Sequence, residues 1–386
     1  MLSILRRISS WYAKLEGADS FPGTCLPRQE PALLAAVAAR QSGFVARCDT
    51  GRQELARDAE VPDQTSDRRN RHMRTDVTFV SAGVKIAGHL YIPADDQAGP
   101  RPAIVVGHPA SGVKEQAAGL YARRLAEQGF IALAFDAAYQ GESDGSPRGL
   151  EDPAHRVEDL KSAVSFLTTR PEVDPEQIGA LGICASGGYV VPASATDHRI
   201  KAVATVSAAD IGRQFREGAD GTQDPAVIQA MLDAAAAART AEARGAGVGT
   251  FPIFPNTAEE ARAAGGEHGV EGFEYYCTDR AQHPRSAKEF TLSSIDRIAM
   301  FDPFRFISMI APRPLLMIVG TEAVTRHMNT EAFADAGEPK RLHWIDGATH
   351  VGLYDKEEYV GPALAELVGF FTGHLKIKVP TVPADT

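Results

Sequence analysis

From Asp76 onward, apolar and polar positions alternate with a period of two. Val77 and Phe79 come first, Val84 and Ile86 follow Gly83, and the run His89-Leu90-Tyr91-Ile92 follows Gly88. Alternation punctuated by glycine predicts an antiparallel hairpin at a sheet edge. The pattern then changes to unbroken apolar runs at 102–107, 131–135, 178–183, 201–207 and 314–320, with a shorter one at 342–345. Runs without a polar face suit strands buried on both sides, as in a parallel sheet. Helical composition fills the gaps at 115–128 (stopped by Gly129), at 155–170, from about Gly187, and from 357 to 375. Strands alternating with helices predict an α/β fold whose doubly wound, mostly parallel sheet carries helices on both faces.

Two stretches break the alternation. Residues 209–300 contain an alanine-rich helical segment at 226–243 and a glycine- and proline-rich patch at 245–256. They also hold a cluster of aromatics: Phe251, Phe254, Phe273, Tyr275 and Tyr276. This stretch is too long for a simple loop and is expected to be a helical lid over the strand ends. Residues 1–72 form the other exception. Leu2, Ile4, Leu5, Ile8, Trp11 and Leu15 suit one face of a short helix beside Arg6, Arg7 and Lys14, and 40–72 is polar and arginine-rich with weak periodicity. An N-terminal extension, poorly packed, is expected there, with a membrane-surface or import segment as the alternative. The folded domain is then 73–386.

The length of 386 residues and a hydrophobic content of 44% allow one large core plus the lid. A formal net charge of −10 argues against a nucleic-acid partner, and no apolar stretch approaches the roughly 20 residues of a membrane span. Cys25, Cys48, Cys184 and Cys277 show no paired spacing, so neither a disulfide framework nor a zinc site is indicated. A reducing cytoplasm is the expected location. No metal or organic cofactor is implied, because phosphate-cradling glycine loops and ligand-spaced His/Cys/Asp clusters are lacking in the sequence.

Candidate chemistry gathers where apolar runs end. Residues 177–190 read as a strand followed by a tight turn of small residues, Gly182-Ile183-Cys184-Ala185-Ser186-Gly187-Gly188. This is the pattern of a nucleophile elbow, in which strained backbone thrusts one side chain outward. Cys184 and Ser186 both satisfy its steric register. Cys184 is favoured because the strand ends naturally at Ile183, and a buried, inert thiol is its bland alternative. His350, in the loop after the last strand, is the candidate base. It either takes the nucleophile's proton or pairs with a thiolate. Glu322 is the one carboxylate in the turn after 314–320 and is the expected orienting acid. Backbone N–H groups of Ala185 and Ala110 are the expected oxyanion donors, with Ser111 in reserve, since Pro109 has no N–H. His108 is expected to brace that loop.

The chain from about 76 to 375 resembles the α/β-hydrolase superfamily. Within it the chain is similar to dienelactone-hydrolase-like proteins and to the related group that includes fungal polyketide transferases. The resemblance rests on Gly107-His-Pro-Ala-Ser-Gly-Val-Lys-Glu-Gln116, Phe135-Asp-Ala-Ala-Tyr-Gln-Gly-Glu-Ser143 and Leu181-Gly-Ile-Cys-Ala-Ser-Gly-Gly-Tyr189. Further matches are Tyr275-Tyr-Cys-Thr278, His283-Pro-Arg285 and Gly347-Ala-Thr-His350. It implies that the thiol of a Gly-x-Cys-x-Gly-Gly elbow falls on Cys184. Ser186 stands where that family has its first glycine, and Val324 stands where related chains often carry aspartate.

The expected function is hydrolysis of an ester, lactone or thioester through a covalent acyl-enzyme, on a small-molecule substrate with a hydrophobic acyl group. Transfer of the acyl group to an alcohol shares every step up to that intermediate and differs by excluding water. A non-catalytic member binding a small ligand in the same pocket is the alternative from another class. The aromatic cluster at 251–276 hints at the hydrophobic acyl group, and such clusters are also ordinary core.

Overall fold

The computed structural model describes residues 72–94 and 99–375. The expected N-terminal helix, the arginine-rich stretch, Cys25 and Cys48 lie outside the described residues. Strands β1 (His72–Ser81) and β2 (Val84–Pro93) form the hairpin that the alternation predicts, paired antiparallel across Ala82-Gly83. The chain continues through β3 (Arg101–Gly107), helix α1 (Ala117–Ala126), β4 (Ile131–Phe135) and α2 (Pro153–Thr168). Then come β5 (Val173–Ile183), α3 (Ala185–Thr196) and β6 (Ile200–Val206).

The stretch after β6 is an insertion with its own core. It holds α4 (Ile211–Glu217), α5 (Pro225–Ala243), β7 (Thr250–Pro252), α6 (Ala258–Cys277), β8 (Glu289–Thr291) and α7 (Ser294–Ala299). Pro225 in the first turn and the Asp224 carboxylate, which accepts from Ala226 N, start α5. The expectation of helices alone misses the antiparallel pair β7–β8, in which Phe251 stands opposite Phe290. That pair forms because both rings turn inward onto Ile228, Met231, Ala235 and Ile295 of the flanking helices. The main fold resumes with β9 (Leu315–Gly320), α8 (Arg326–Asp335), β10 (Lys340–Ile345), α9 (Gly352–Asp355) and α10 (Glu357–His374). Helix α8 has no sequence signature: only Met328, Asn329 and Ala332 of its residues are buried.

The eight-stranded sheet runs β1-β2-β4-β3-β5-β6-β9-β10, parallel from β4 to β10. Every residue of β3 and β4 is buried, as an unbroken apolar run requires when both faces are covered. Ile104 and Val106 point to the face held by α1 and α10, while Ala103 and Val105 point to the face held by α2 and α3. Each such fully buried branched side chain contributes roughly 1.5–3 kcal/mol. The sheet is thus doubly wound and mostly parallel, and its strands direct the turns after β3, β5, β9 and β10 to one end. Among the described residues no helix is long and apolar enough to cross a membrane.

Candidate active site

Cys184 stands at the apex of the turn between β5 and α3, with φ 55° and ψ −120°. A side chain other than glycine is strained there, and packing has to enforce the conformation. The glycines around it show how. A Cβ on Gly182 would lie 2.1 Å from the Ser186 carbonyl oxygen, and one on Gly187 would lie 2.7 Å from Ala208. The apex is pinned by Cys184 N donating to the Val206 carbonyl at 3.0 Å, while the Cys184 carbonyl accepts from Gly187 N and Ala209 N. The thiol is half-buried and faces the turn after β3.

Ser186 is placed differently. It lies in the first turn of α3, buried, and its hydroxyl donates to the His108 carbonyl at 2.6 Å and accepts from Arg156 Nη2 at 3.4 Å. Its side chain packs against Gly107, where any Cβ would lie 2.8 Å away. Ser186 therefore ties the elbow to the turn after β3 and is not presented beside the thiol.

The turn after β3 supplies the donors. The backbone N–H groups of Ala110 and Ala185 both face the Cys184 sulfur, one from the turn after β3 and one from the start of α3. The Ala185 N–H also opens α3, whose N-terminal dipole favours negative charge at that point. The turn is braced by His108, as its position in the sequence suggests. His108 Nδ1 donates to the Pro109 carbonyl at 2.7 Å, and Nε2 accepts from Arg156 Nη1 at 2.8 Å and Ala137 N at 3.1 Å. Burial, with the Arg156 charge beside it, holds His108 well below the usual histidine range, so it is a neutral strut. Arg156 in turn lies over the Tyr189 ring and pairs with buried Glu151 at 3.4 Å.

His350 is buried in the turn between β10 and α9, on the same side as the thiol. Its Nδ1 is 2.7 Å from Thr325 Oγ1 and its Nε2 is 2.9 Å from the Tyr354 hydroxyl. The Tyr354 hydroxyl also lies beside the Cys184 thiol, so it stands between the candidate nucleophile and the candidate base. Glu322 is not brought to the histidine. It is exposed, and its backbone N–H donates to the Ala348 carbonyl at 3.0 Å. The turn after β9 is laced to the His350 loop through that bond and through Thr321 N to Ile345 O. This lacing aims Thr325, three residues further on, at the imidazole and leaves the Glu322 side chain in solvent.

Electrostatics follow from this packing. Burial pushes the Cys184 thiol above its ordinary value, outweighing the contacts from Tyr354, Ala185 and Ala110 that favour the thiolate. Burial and neighbouring His268 hold His350 well below the usual histidine range. The resting pair is a neutral thiol and a neutral imidazole. The single phenolic hydrogen of Tyr354 serves either Cys184 Sγ or His350 Nε2, and the Thr325 hydroxyl meets either imidazole tautomer at Nδ1.

Three comparisons with known proteins bear on this geometry. Residues 86–228 match the model of the Dienelactone hydrolase family. The chain is 37% identical over 304 residues to uncharacterized protein YcjY of Escherichia coli, spanning 78% of this chain and 98% of that one. The crystal structure of a hypothetical protein from Pseudomonas aeruginosa superposes with a TM-score of 0.75 at 34% identity, covering 84% of this chain and all of that one. The chain belongs to the dienelactone hydrolase family. Thiohydrolase aneE of Aspergillus aculeatus is a more distant relative, 28% identical over 285 residues, covering 72% of this chain and 87% of its own.

The candidate residues lie at the carboxyl ends of the parallel strands, where open α/β sheets bind ligands. An open groove of about 510 Å³ between Pro339, Arg341, Glu366 and His374 lies at the opposite end, beside the starts of β9 and β10. The insertion reaches the candidate site through α6. Tyr276 donates to the Ala110 carbonyl at 3.4 Å, Tyr275 accepts from Ala117 N at 2.9 Å, and Tyr275 meets Tyr354 edge-on at 5.2 Å. The aromatic cluster of 251–276 is thereby divided: Phe251 fills the insertion's own core, while Tyr275 and Tyr276 close the site. His268, also on α6, meets the His350 ring nearly perpendicularly at 5.3 Å. Among the described residues no three His, Cys, Asp or Glu side chains gather as metal ligands.

Sequence reading does not find Thr325, Tyr354, Arg156 or His268. Tyr354 carries the best signal, since it lies one turn past His350 in a short apolar stretch. Thr325 and Arg156 carry none, because only the fold brings the turn after β9 and the start of α2 beside the site. A buried charge cluster was equally hidden. Lys114 Nζ donates to Asp136 at 2.9 Å, Glu115 at 2.9 Å and Glu142 at 2.5 Å, and Arg285 of the insertion reaches the last two carboxylates.

Proposed function

We propose that this hydrolase cleaves an ester or thioester of a small, hydrophobic acyl group through a covalent Cys184 acyl-enzyme. The observation that carries the reading is Cys184 at a strained elbow apex, φ 55°, with the Ala110 and Ala185 backbone N–H groups facing its sulfur. In the proposed reaction the sulfur attacks the acyl carbonyl and His350 receives the thiol proton. The developing oxyanion is held by Ala110 and Ala185, in a dry site where such bonds act strongly. His350 then protonates the departing alcohol or thiol, and water resolves the acyl-enzyme by the same route in reverse. Likeness to a thiohydrolase supports a thioester among the substrates, and the tyrosines and apolar insertion beside the sulfur support an apolar acyl group.

Transfer of the acyl group to an alcohol is the second reading. It is favoured by the burial of His350, Tyr276 and Tyr354, which leaves little room for water around the sulfur.

The test uses p-nitrophenyl esters and acyl thioesters of graded chain length, with intact-protein mass after rapid quench. The proposal expects an adduct on the Cys184 peptide and turnover by the wild type, and loss of both in Cys184→Ala and His350→Ala. Full turnover by Cys184→Ala overturns it. Faster product formation when an alcohol is added, at an unchanged rate of acylation, selects transfer over hydrolysis.

A further inference from the structure

We propose that Tyr354 is a catalytic residue, the carrier through which the proton passes between Cys184 and His350. This inference rests on the reading of Cys184 as nucleophile. Its geometry is a chain: the Tyr354 hydroxyl, beside the Cys184 thiol, lies 2.9 Å from His350 Nε2, and His350 Nδ1 lies 2.7 Å from Thr325 Oγ1. Imidazole Nε2 is committed to the phenol, so the tyrosine occupies the position a histidine takes when it meets the nucleophile directly.

The phenol is built into place. Tyr354 is 2% exposed and belongs to the single turn α9, four residues after His350, so both side chains leave the same short segment. Its ring is held edge-on by Tyr275 at 5.2 Å and by His350 itself at 5.6 Å. The neighbouring Leu353 carbonyl accepts from the Tyr121 hydroxyl at 2.8 Å, which anchors α9 to α1. The groups that face this chain are Cys184, Tyr275 and Tyr276 around the phenol and His268 beside the imidazole; Glu271 reaches the same loop by accepting from Thr349 Oγ1 at 2.6 Å.

The step balances without any added reagent. As the sulfur lone pair forms the bond to the acyl carbon, the carbonyl π pair moves onto oxygen, facing the Ala110 and Ala185 N–H groups. The S–H proton passes to the Tyr354 oxygen while the phenolic proton passes to His350 Nε2. When the tetrahedral species collapses, the bond to the leaving group breaks. The imidazolium proton returns through the phenol to the leaving oxygen or sulfur. Tyrosine ends as it began, neutral. A relay of this kind lets both end groups rest uncharged in a buried site, where a standing thiolate–imidazolium pair carries a desolvation cost.

The test compares wild type with Tyr354→Phe, which keeps the ring and removes the hydroxyl. Two readouts are taken: kcat and KM on the best ester found, and the rate of iodoacetamide alkylation of the Cys184 peptide across pH, followed by mass. The relay predicts a fall in kcat on the order of 10²-fold with KM little changed. It also predicts slower alkylation of Cys184 at neutral pH, with the alkylation profile displaced to higher pH. A second variant carries 3-fluorotyrosine at position 354, which changes the acidity of the phenol and nearly preserves its shape. The relay predicts a displaced pH profile of kcat in that protein, which a merely packing tyrosine does not produce.

Wild-type kcat and an unchanged alkylation profile in Tyr354→Phe overturn the relay, as does an unmoved profile in the fluorotyrosine protein. If the wild type turns over no ester or thioester, slower Cys184 alkylation in Tyr354→Phe still supports the relay while the proposed reaction falls.

Discussion

Thr325 Oγ1 stands 2.7 Å from His350 Nδ1, and both residues are buried. A hydroxyl therefore holds the ring orientation of the candidate base, in the position that a carboxylate takes in the Ser-His-Asp arrangement. A carboxylate there stabilises an imidazolium; a hydroxyl does so far less. The arrangement suits a neutral resting imidazole working on a thiol, which is easier to ionise than a serine hydroxyl.

Removing that hydroxyl is the most direct check. Thr325→Val leaves the buried Nδ1 without a partner, at a cost of roughly 1–3 kcal/mol, and is expected to lower kcat by about tenfold to a hundredfold. Glu322→Gln, in an exposed turn, is expected to leave kcat at the wild-type value. Steady-state kinetics of the two variants decide the matter. A collapse in Glu322→Gln beside a healthy Thr325→Val returns the orienting role to the carboxylate.

Cys184 and Ser186 separate on the same logic. Cys184→Ala is expected to lower kcat by at least about a thousandfold, as loss of a nucleophile does in related chemistry. Ser186→Ala removes the bonds to the His108 carbonyl and to Arg156. Its expected effect is a loss of roughly 1–2 kcal/mol of stability with near-normal turnover. Acyl-adduct mapping and urea unfolding on the two variants report these outcomes; an adduct on the peptide that survives Cys184→Ala and vanishes in Ser186→Ala reverses the assignment.

How much of this was legible beforehand follows the range of the forces involved. The hairpin at 72–93, the buried strands and the elbow are written in local periodicity and in small residues crowded around one turn, so sequence alone reaches them. Ala110 follows from Pro109 lacking an N–H. Thr325 is another matter. Chemistry favours a carboxylate as the orienting group and so points to Glu322, whereas the bonds from Thr321 and Glu322 to the 345–348 segment turn that carboxylate outward. Such lacing joins residues more than twenty positions apart and leaves no local trace. The β7–β8 pair is hidden for a related reason, since two three-residue strands are decided by what Phe251 and Phe290 pack against.

Arg156 is the keystone of the turn after β3. It holds the His108 ring at 2.8 Å and the His108 carbonyl at 3.0 Å, and it neutralises Glu151, which is buried and also accepts from Tyr189 at 2.6 Å. Arg156→Met leaves Glu151 as an uncompensated buried charge and is expected to destabilise the fold by about 3–5 kcal/mol. Arg156→Met/Glu151→Gln is expected to recover part of that loss. Urea midpoints for the two proteins check it, and equal midpoints for Arg156→Met and wild type dispose of the idea.

Two buried histidines, His108 and His350, and the half-buried His268 make stability depend on pH in a stated direction. Burial pushes His268 down to about 4, from an ordinary 6.5, and its Nδ1 has no hydrogen-bond partner. Above pH 6.5 neither the folded nor the unfolded chain protonates this residue. Between 6.5 and 4 the unfolded chain binds a proton that the folded chain refuses, so stability falls as the solution is acidified. At about 1.36 kcal/mol per unit, this one residue accounts for roughly 2 kcal/mol of the loss between pH 7 and pH 5. His108 and His350 act in the same sense. His268→Gln keeps the size of the side chain and removes its titration. Urea unfolding at pH 7 and pH 5 is therefore expected to show the wild type losing about 2 kcal/mol more than the variant. Equal losses in the two proteins mean that His268 already takes up a proton in the folded state, and that α6 leaves it open to water beside His350.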